Sequence, residues 1–102
     1  MIKLVYYVDI DETICFYDGQ REYENAKPII ENIEKINKIY DENNTVVYWT
    51  ARGSTTGIDW SDLTRKQLKK WGVKYHKLKM GKPYYDIFIC DKAINTEEFF
   101  KE

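Results

Sequence analysis

Short hydrophobic runs alternate with amphipathic stretches along the chain. Residues 2–8 and 45–49 are rich in β-branched and aromatic side chains, which predicts two buried strands. Between them isoleucine recurs at helical spacing from Ile29 to Ile36, and Pro28 suits the first turn of this helix. The first half of the chain therefore predicts a strand, a helix and a second strand.

The second half continues this alternation. A second helix is expected over about residues 60–71, with Gly72 as its stop. Short strands are expected at residues 73–75 and 87–90, the latter directly after a stretch of mixed polarity. Asn95 is expected to cap a last short helix.

This order of elements is typical of an α/β fold with a mainly parallel sheet. Residues 1–102 are expected to form one such domain, because the chain is too short for two. Residues 14–25 contain Asp18 and Gly19 between polar and apolar residues, which predicts a hairpin or a short flap ahead of the first helix.

Composition narrows the class of protein. Sixteen Lys and Arg against seventeen Asp and Glu give a formal net charge of -1, which does not favour a nucleic-acid or membrane-surface partner. Two cysteines, Cys15 and Cys90, make neither a disulfide framework nor a metal-cluster spacing, so a reduced cytoplasmic protein is expected. No apolar run reaches signal-peptide or membrane-span length.

Polar side chains follow the predicted strands. Asp9 and Asp11 come after the first strand, Thr50 after the second and Asp91 after residues 87–90, while Lys82 lies shortly before that run. Because ligands bind at the carboxyl ends of parallel strands, these groups are expected at one edge of the sheet. Two close carboxylates need a cation or a shared proton, and carboxylates are ligands that Mg²⁺ prefers. The set predicts a metal-assisted site for phosphoryl transfer.

These residues resemble the motifs of the haloacid dehalogenase superfamily of phosphatases, and the resemblance covers nearly the whole chain. Asp9-Ile10-Asp11-Glu12-Thr13 is similar to the first motif, Thr50 to the second and Lys82 to the third. In the fourth motif the nearest relatives carry two adjacent aspartates, where this chain has Cys90-Asp91.

Two positions leave alternatives open. Asp86 lies five residues before Asp91, and an Asp-x-x-x-x-Asp spacing also occurs in the family, but the predicted strand puts Asp86 at the opposite end. Lys77 or Lys79 is an alternative to Lys82. We expect Asp91 and Lys82 to be the site residues.

The resemblance implies a Rossmann-like three-layer sandwich without a cap domain. It also implies a Mg²⁺-dependent hydrolase of phosphoric monoesters that works through an aspartyl-phosphate, with Asp9 as nucleophile and Asp11 as general acid and base. The residues implied to hold the phosphoryl group are Thr50, Ala51 and Lys82, and those implied to hold Mg²⁺ are Asp9, Asp11 and Asp91.

Without a cap, the site is expected to be open. An open site suits a sugar phosphate or a larger phosphorylated substrate, or a neighbouring subunit that closes it. Tyr17 and Arg21 on the flap and Arg52 after the second strand are the expected specificity residues, although a structural ion pair is an equal alternative for Arg52. Residues 82–93 also resemble small phosphatases associated with surface-polysaccharide and sugar-phosphate pathways.

Two other functions compete with a phosphatase. A phosphoacceptor receiver domain also places acids, a Thr and a Lys at strand ends, but it needs an aspartate ending a middle strand, where this chain has Thr50. A degenerate relative that serves as a binding or assembly module is the other alternative, and Cys90 motivates it.

Overall fold

The computed structural model describes residues 3–101. Its strands, numbered in chain order, are β1 (Val5–Val8), β2 (Cys15–Phe16), β3 (Lys27–Pro28), β4 (Thr45–Trp49) and β5 (Lys77–Lys79). Its α-helices are α1 (Ile30–Asp41), α2 (Ser61–Lys70) and α3 (Thr96–Phe99), and a 3-10 turn covers Tyr23–Asn25. Ile2, which the sequence placed in the first strand, lies outside the described residues.

The main sheet has three parallel strands in the order β1-β4-β5. Val5 pairs with Thr45 and Val8 with Tyr48, while Val47 on the other side of β4 pairs with Lys77. The central strand is therefore β4, and β1 and β5 are the two edges. This arrangement confirms the predicted α/β fold with a mainly parallel sheet.

The core forms between one face of this sheet and the helices. Val8, Val46 and Tyr48 point to the same face, since successive strand residues alternate. They share one cluster with Ile33 of α1 and Leu68 of α2, each at most 8% exposed. Burying a side chain of this size stabilises the fold by about 1.5 to 3 kcal/mol.

The predicted flap is a two-stranded antiparallel hairpin. Cys15 of β2 pairs with Pro28 of β3, and the backbone N–H of Ile29 donates to the carbonyl of Ile14 over 2.9 Å. Pro28 therefore lies in a strand, and the prediction that it occupies the first turn of the helix is wrong. Helix α1 begins at Ile30, because the hairpin holds the two preceding residues extended.

The strand predicted at residues 73–75 is displaced. Gly72 (φ +71) ends α2 as predicted, and Val73 then donates its N–H to Leu68 and is buried beside the helix. The chain reaches the sheet edge only at Lys77. The strand begins further along the chain than the sequence predicts, because Val73 packs against the end of the helix.

The strand predicted at residues 87–90 is absent, and that prediction is wrong. Ile87 is 79% and Ile89 93% exposed, and no strand of the described residues 3–101 pairs with them. Apolar, β-branched composition favours extended backbone, but a strand also needs a neighbour for its hydrogen bonds. The final helix does form as predicted, and the Asn95 side chain accepts a hydrogen bond from the N–H of Glu97.

Within residues 3–101, none of the helices has the length and apolar character needed to cross a membrane.

The Tyr48 hydroxyl is buried without a hydrogen-bond partner among the described residues, so we expect Tyr48→Phe to leave the free energy of unfolding unchanged or raise it by up to about 1 kcal/mol. Tyr17→Phe is the matched control, because the Tyr17 hydroxyl donates to Asp11 and the loss of this hydrogen bond lowers the free energy of unfolding by about 1.5 to 3 kcal/mol. Urea denaturation measures both variants. A clear loss of stability in Tyr48→Phe would contradict the prediction.

Candidate functional site

A tight turn follows β1 and carries the two carboxylates. The N–H groups of Thr13 and Ile14 both donate to the carbonyl of Ile10, over 3.1 and 2.9 Å. Glu12 adopts a left-handed conformation (φ 63), which is unfavourable for a residue with a side chain. The turn sets Asp9 and Asp11 at the carboxyl end of β1, as the sequence predicts.

Asp11 forms a two-point ion pair with Arg52. Nε of Arg52 donates to Oδ2 over 3.1 Å, and Nη2 donates to Oδ1 over 2.9 Å. Tyr17 of the flap donates its hydroxyl to the same carboxylate over 2.6 Å. The Arg52 side chain is fully buried and that of Asp11 is 9% exposed, so this pair is shielded from solvent.

Helix α2 holds the other side of the Arg52 guanidinium. Nη1 donates to Oγ1 of Thr64 over 3.0 Å and to Oε1 of Gln67 over 2.6 Å, and the Tyr23 ring lies 4.8 Å from the guanidinium carbon. Neither Thr64 nor Gln67 was predicted from the sequence to be a functional residue. The signal that could have identified them is the presence of two polar residues on the buried face of a helix, where each needs a hydrogen-bond partner.

The ion pair changes the pKa values of its own carboxylate and of the ionisable groups around it. Burial alone would raise the pKa of Asp11, but the hydrogen bonds and charge of Arg52 hold that pKa below its ordinary value. Burial, and then the neighbouring Asp11 charge, raise the pKa of the Tyr17 hydroxyl and raise that of the Cys15 thiol to about 12. Asp11 is therefore a stable anion, and Tyr17 and Cys15 stay neutral.

Asp9 has a different cation, supplied by the loop after β5. Lys82 Nζ lies 3.7 Å from Oδ1 of Asp9, and the Asp9 side chain is 42% exposed. The rings of Trp49 and Tyr85 flank the ammonium at 5.8 and 5.5 Å. Partial burial raises the pKa of Asp9, although the Lys82 charge opposes the rise.

Of the lysines considered from sequence, Lys82 is the one beside Asp9. Lys79 instead donates to the Tyr7 hydroxyl over 3.0 Å, and Lys77 is exposed at the start of β5.

Thr50 joins the loops that carry the two cations. Its hydroxyl accepts the N–H of Arg52 over 3.1 Å, and its carbonyl accepts the N–H of Lys82 over 3.0 Å. Ala51 begins the following loop and is half-buried. In that loop Gly53 has φ +82, and a Cβ there would lie 2.0 Å from the carbonyl oxygen of Ile58, so only glycine fits.

The structure brings together Asp9, Asp11, Thr50 and Lys82, but not Asp91. Asp91 is exposed in a turn, and its side chain lies 3.9 Å from the Cys90 sulfur. Within residues 3–101 no three His, Cys, Asp or Glu side chains form a group that could hold a metal ion. The expected third carboxylate is missing from this edge because the strand meant to carry it does not form.

The three expected specificity residues lie in different environments. Tyr17 is half-buried and engaged with Asp11, and Arg21 is exposed and pairs with Glu12 over 3.5 Å. The Arg52 guanidinium is buried in the ion pair with Asp11, which is the structural alternative considered for it. A shallow depression lies between the flap and Trp60, lined by Arg21, Glu22, Tyr23, Glu24, Asn25 and Trp60.

Comparison with known proteins supports the fold alone. No known protein family matches the sequence, and no curated protein does. The chain is similar to a solved structure of a structural-genomics target from Vibrio cholerae, at 24% identity and a TM-score of 0.84. The alignment covers 97% of this chain and 89% of that one.

We expect Arg52→Met to lower the free energy of unfolding by about 3 to 5 kcal/mol, because it leaves the buried Asp11 carboxylate without its cation. Arg52→Lys keeps the charge but not the two-point geometry, and it should recover only part of this loss. Denaturant unfolding of the three proteins tests the ranking. Equal stability of Arg52→Met and the wild type would contradict a structural role for the pair.

The pKa of Asp11 lies below its ordinary 3.8, so its ionised form stabilises the fold above that value. The stability advantage of the wild type over Asp11→Asn should therefore shrink as the pH falls through 3.8 and below. Asp9→Asn is the control, for which the opposite pH trend is expected. Because the pKa of Asp9 is raised in the folded state, the contribution of Asp9 to stability is lost as the pH rises from 3.8 through that folded-state pKa. Urea denaturation between about pH 2.5 and 6 measures both differences.

Proposed function

We propose that this chain is a phosphatase that hydrolyses a phosphomonoester through an aspartyl-phosphate. The observation that supports this most is the half-exposed Asp9 carboxylate at the carboxyl end of β1 with the Lys82 ammonium 3.7 Å away. A carboxylate in that place can attack phosphorus, and the cation can neutralise the phosphate charge. The resemblance to haloacid dehalogenase phosphatases, including a three-layer sandwich without a cap, belongs to the same proposal.

In the first step an Asp9 oxygen forms a bond to phosphorus, and the bond from phosphorus to the ester oxygen breaks. A proton from Asp11 goes to the leaving alkoxide. In the second step a water molecule attacks the aspartyl-phosphate, Asp11 takes its proton, and the bond between phosphorus and Asp9 breaks. Lys82 and the Thr50 and Ala51 segment would hold the phosphoryl oxygens throughout.

The ion pair with Arg52 sets a condition on this mechanism. Asp11 is strongly held as an anion, so it delivers a proton only if its contacts with Arg52 and Tyr17 loosen when substrate binds. The Asp11 carboxylate is thus suited to accept a proton in the second step and poorly suited to donate one in the first.

Mg²⁺ is the proposed cofactor, and the residues present fit it in part. Asp9 offers an accessible oxygen ligand, while the carboxylate of Asp11 is already neutralised by Arg52. Mg²⁺ would be held by Asp9, the backbone carbonyl of Asp11 and Asp91, and would neutralise charge on the phosphate. Asp91 can join this set only if residues 87–91 take a different position.

The proposed substrate is a small phosphorylated molecule such as a sugar phosphate, or a larger phosphorylated one. The exposed guanidinium of Arg21 and the Trp60 ring line the depression beside the flap, and they offer an anion contact and an apolar surface.

We expect Asp9→Asn to abolish Mg²⁺-dependent phosphate release from p-nitrophenyl phosphate, because the amide cannot act as nucleophile. Asp41→Asn is the matched control, since Asp41 is an exposed acid that pairs with Lys74 at the end of α1. A spectrophotometric assay with and without Mg²⁺ gives the measurement. Equal activity of Asp9→Asn and the wild type would rule out the mechanism.

A second candidate is a non-catalytic binding module, and two observations favour it. Asp11 is neutralised by a buried arginine, and Asp91 lies outside the group of site residues. Cys90→Asp restores the pair of aspartates expected at that position. Activity in this variant together with an inert wild type, across a panel of phosphate esters, would support the binding module.

A further inference from the structure

One segment of the chain is apolar, exposed and unpaired. We call residues 83–95 the arm. Its run Ile87-Phe88-Ile89 is 79, 53 and 93% exposed. None of the hydrogen bonds between backbone groups of described residues uses residues 83–94, although the N–H of Lys92 donates to the Cys90 sulfur over 3.5 Å. Contiguous exposed apolar side chains are unfavourable in water, and backbone N–H and C=O groups that pair with no other strand can pair with one from another molecule, so together they mark an interaction site.

Both ends of the arm are fixed to the body of the molecule. The N–H of Lys82 donates to the carbonyl of Thr50 over 3.0 Å, and the Lys82 carbonyl accepts a hydrogen bond from Ser54. At the other end the hydroxyls of Thr13 and Thr96 lie 2.8 Å apart. The arm therefore projects as a loop whose tip is the part left exposed.

The sheet has an unprotected edge that matches this tip. Within the described residues 3–101, strand β1 pairs with β4 alone, and its residues Val5 and Tyr7 are 65 and 52% exposed. The other edge, β5, carries Lys77 and Lys79, and charged side chains of this kind discourage pairing. Edge β1 has the sequence Val-Tyr-Tyr-Val, which has no such protection.

We propose that the arm of one copy of this chain adds to the β1 edge of a second copy, and the reverse, in a two-fold dimer. The donor run Ile87–Cys90 and the acceptor β1 each have four residues, so one pairing can use the full length of both. A single copy holds its arm away from its own β1. Because every copy carries both surfaces, a reciprocal exchange satisfies both and closes the assembly.

The orientation of the added strand has a consequence for the site. In a parallel addition, Asp91, which directly follows the donor run, lies at the sheet edge that carries Asp9 and Asp11. The partner's arm then supplies the third carboxylate that a single copy lacks. This consequence rests on the proposed phosphatase function, whereas the dimer itself does not.

Cysteine cross-linking tests the pairing. In a parallel pairing over the full length of both strands, Tyr7 lies opposite Ile89, so the two thiols of Tyr7→Cys/Ile89→Cys/Cys90→Ser lie on the same face of neighbouring strands, close enough for a disulfide. Cys15 does not compete, because burial raises the pKa of its thiol to about 12. Oxidation should give a two-chain band on a non-reducing gel that disappears in Tyr7→Cys/Cys90→Ser.

The control for cross-linking is Lys77→Cys/Ile89→Cys/Cys90→Ser, which places the second thiol on the protected edge and should give no dimer band. A disulfide within one chain of Tyr7→Cys/Ile89→Cys/Cys90→Ser would overturn the proposal in favour of the arm folding onto its own sheet. The absence of any disulfide would also overturn it.

Native mass tests the dimer without any cross-link. Light scattering should give the mass of two chains for the wild type and of one chain for Ile87→Lys/Ile89→Lys, because charged side chains on a strand discourage its pairing with the edge of another sheet. Ile94→Lys is the matched control, since Ile94 is 64% exposed on the arm but outside the run, and it should stay dimeric. A monomeric wild type would overturn the proposal.

Subunit mixing tests the shared site. Asp9→Asn and Asp91→Asn should each be inactive, but co-expressed they should regain about a quarter of wild-type phosphate release, because half of the dimers then contain one intact site. No recovery in a dimer confirmed by cross-linking would overturn the shared site alone. An inactive wild type would contradict the phosphatase, and cross-linking would still decide the dimer.

Discussion

The buried ion pair between Arg52 and Asp11 is the interaction on which the rest of this edge of the molecule depends. Arg52 donates to Asp11 after β1 and to Thr64 and Gln67 on α2, and Tyr17 ties the flap to the same carboxylate. One guanidinium thus connects a strand end, a helix and a hairpin. Because a buried charge without its partner is costly, these elements have to assemble together.

The same pair resolves the crowding of Asp9 and Asp11. Two carboxylates two residues apart need a positive charge, and each one has its own cation from a different loop, Lys82 for Asp9 and Arg52 for Asp11. The two acids consequently differ in character. Asp11 is shielded and its ionised form is favoured, whereas Asp9 is accessible and its pKa is raised, so Asp9 is the carboxylate open to a substrate.

Apolar surface is distributed unevenly over this small domain. The helices cover the face of the sheet that carries Val8 and Tyr48, while Tyr7 on β1 and the tip of the arm stay exposed. A domain of this length buries a limited fraction of its surface, so each apolar segment that stays exposed to water lowers its stability noticeably. Association through the β1 edge would cover both segments at once.

The sequence predicted the elements whose signals are local. The isoleucine spacing predicted α1, the β-branched run Thr45–Trp49 predicted β4, and Asn95 predicted the cap of α3, because each depends on residues a few positions apart. It also placed Asp9, Thr50 and Lys82 at one edge, since parallel strands have to end together. The role of Arg52 depends on the tertiary structure, because its partners lie up to 41 residues away. The course of Ile87–Cys90 depends on it too, because a run with strand composition becomes a strand only where the fold brings another strand beside it.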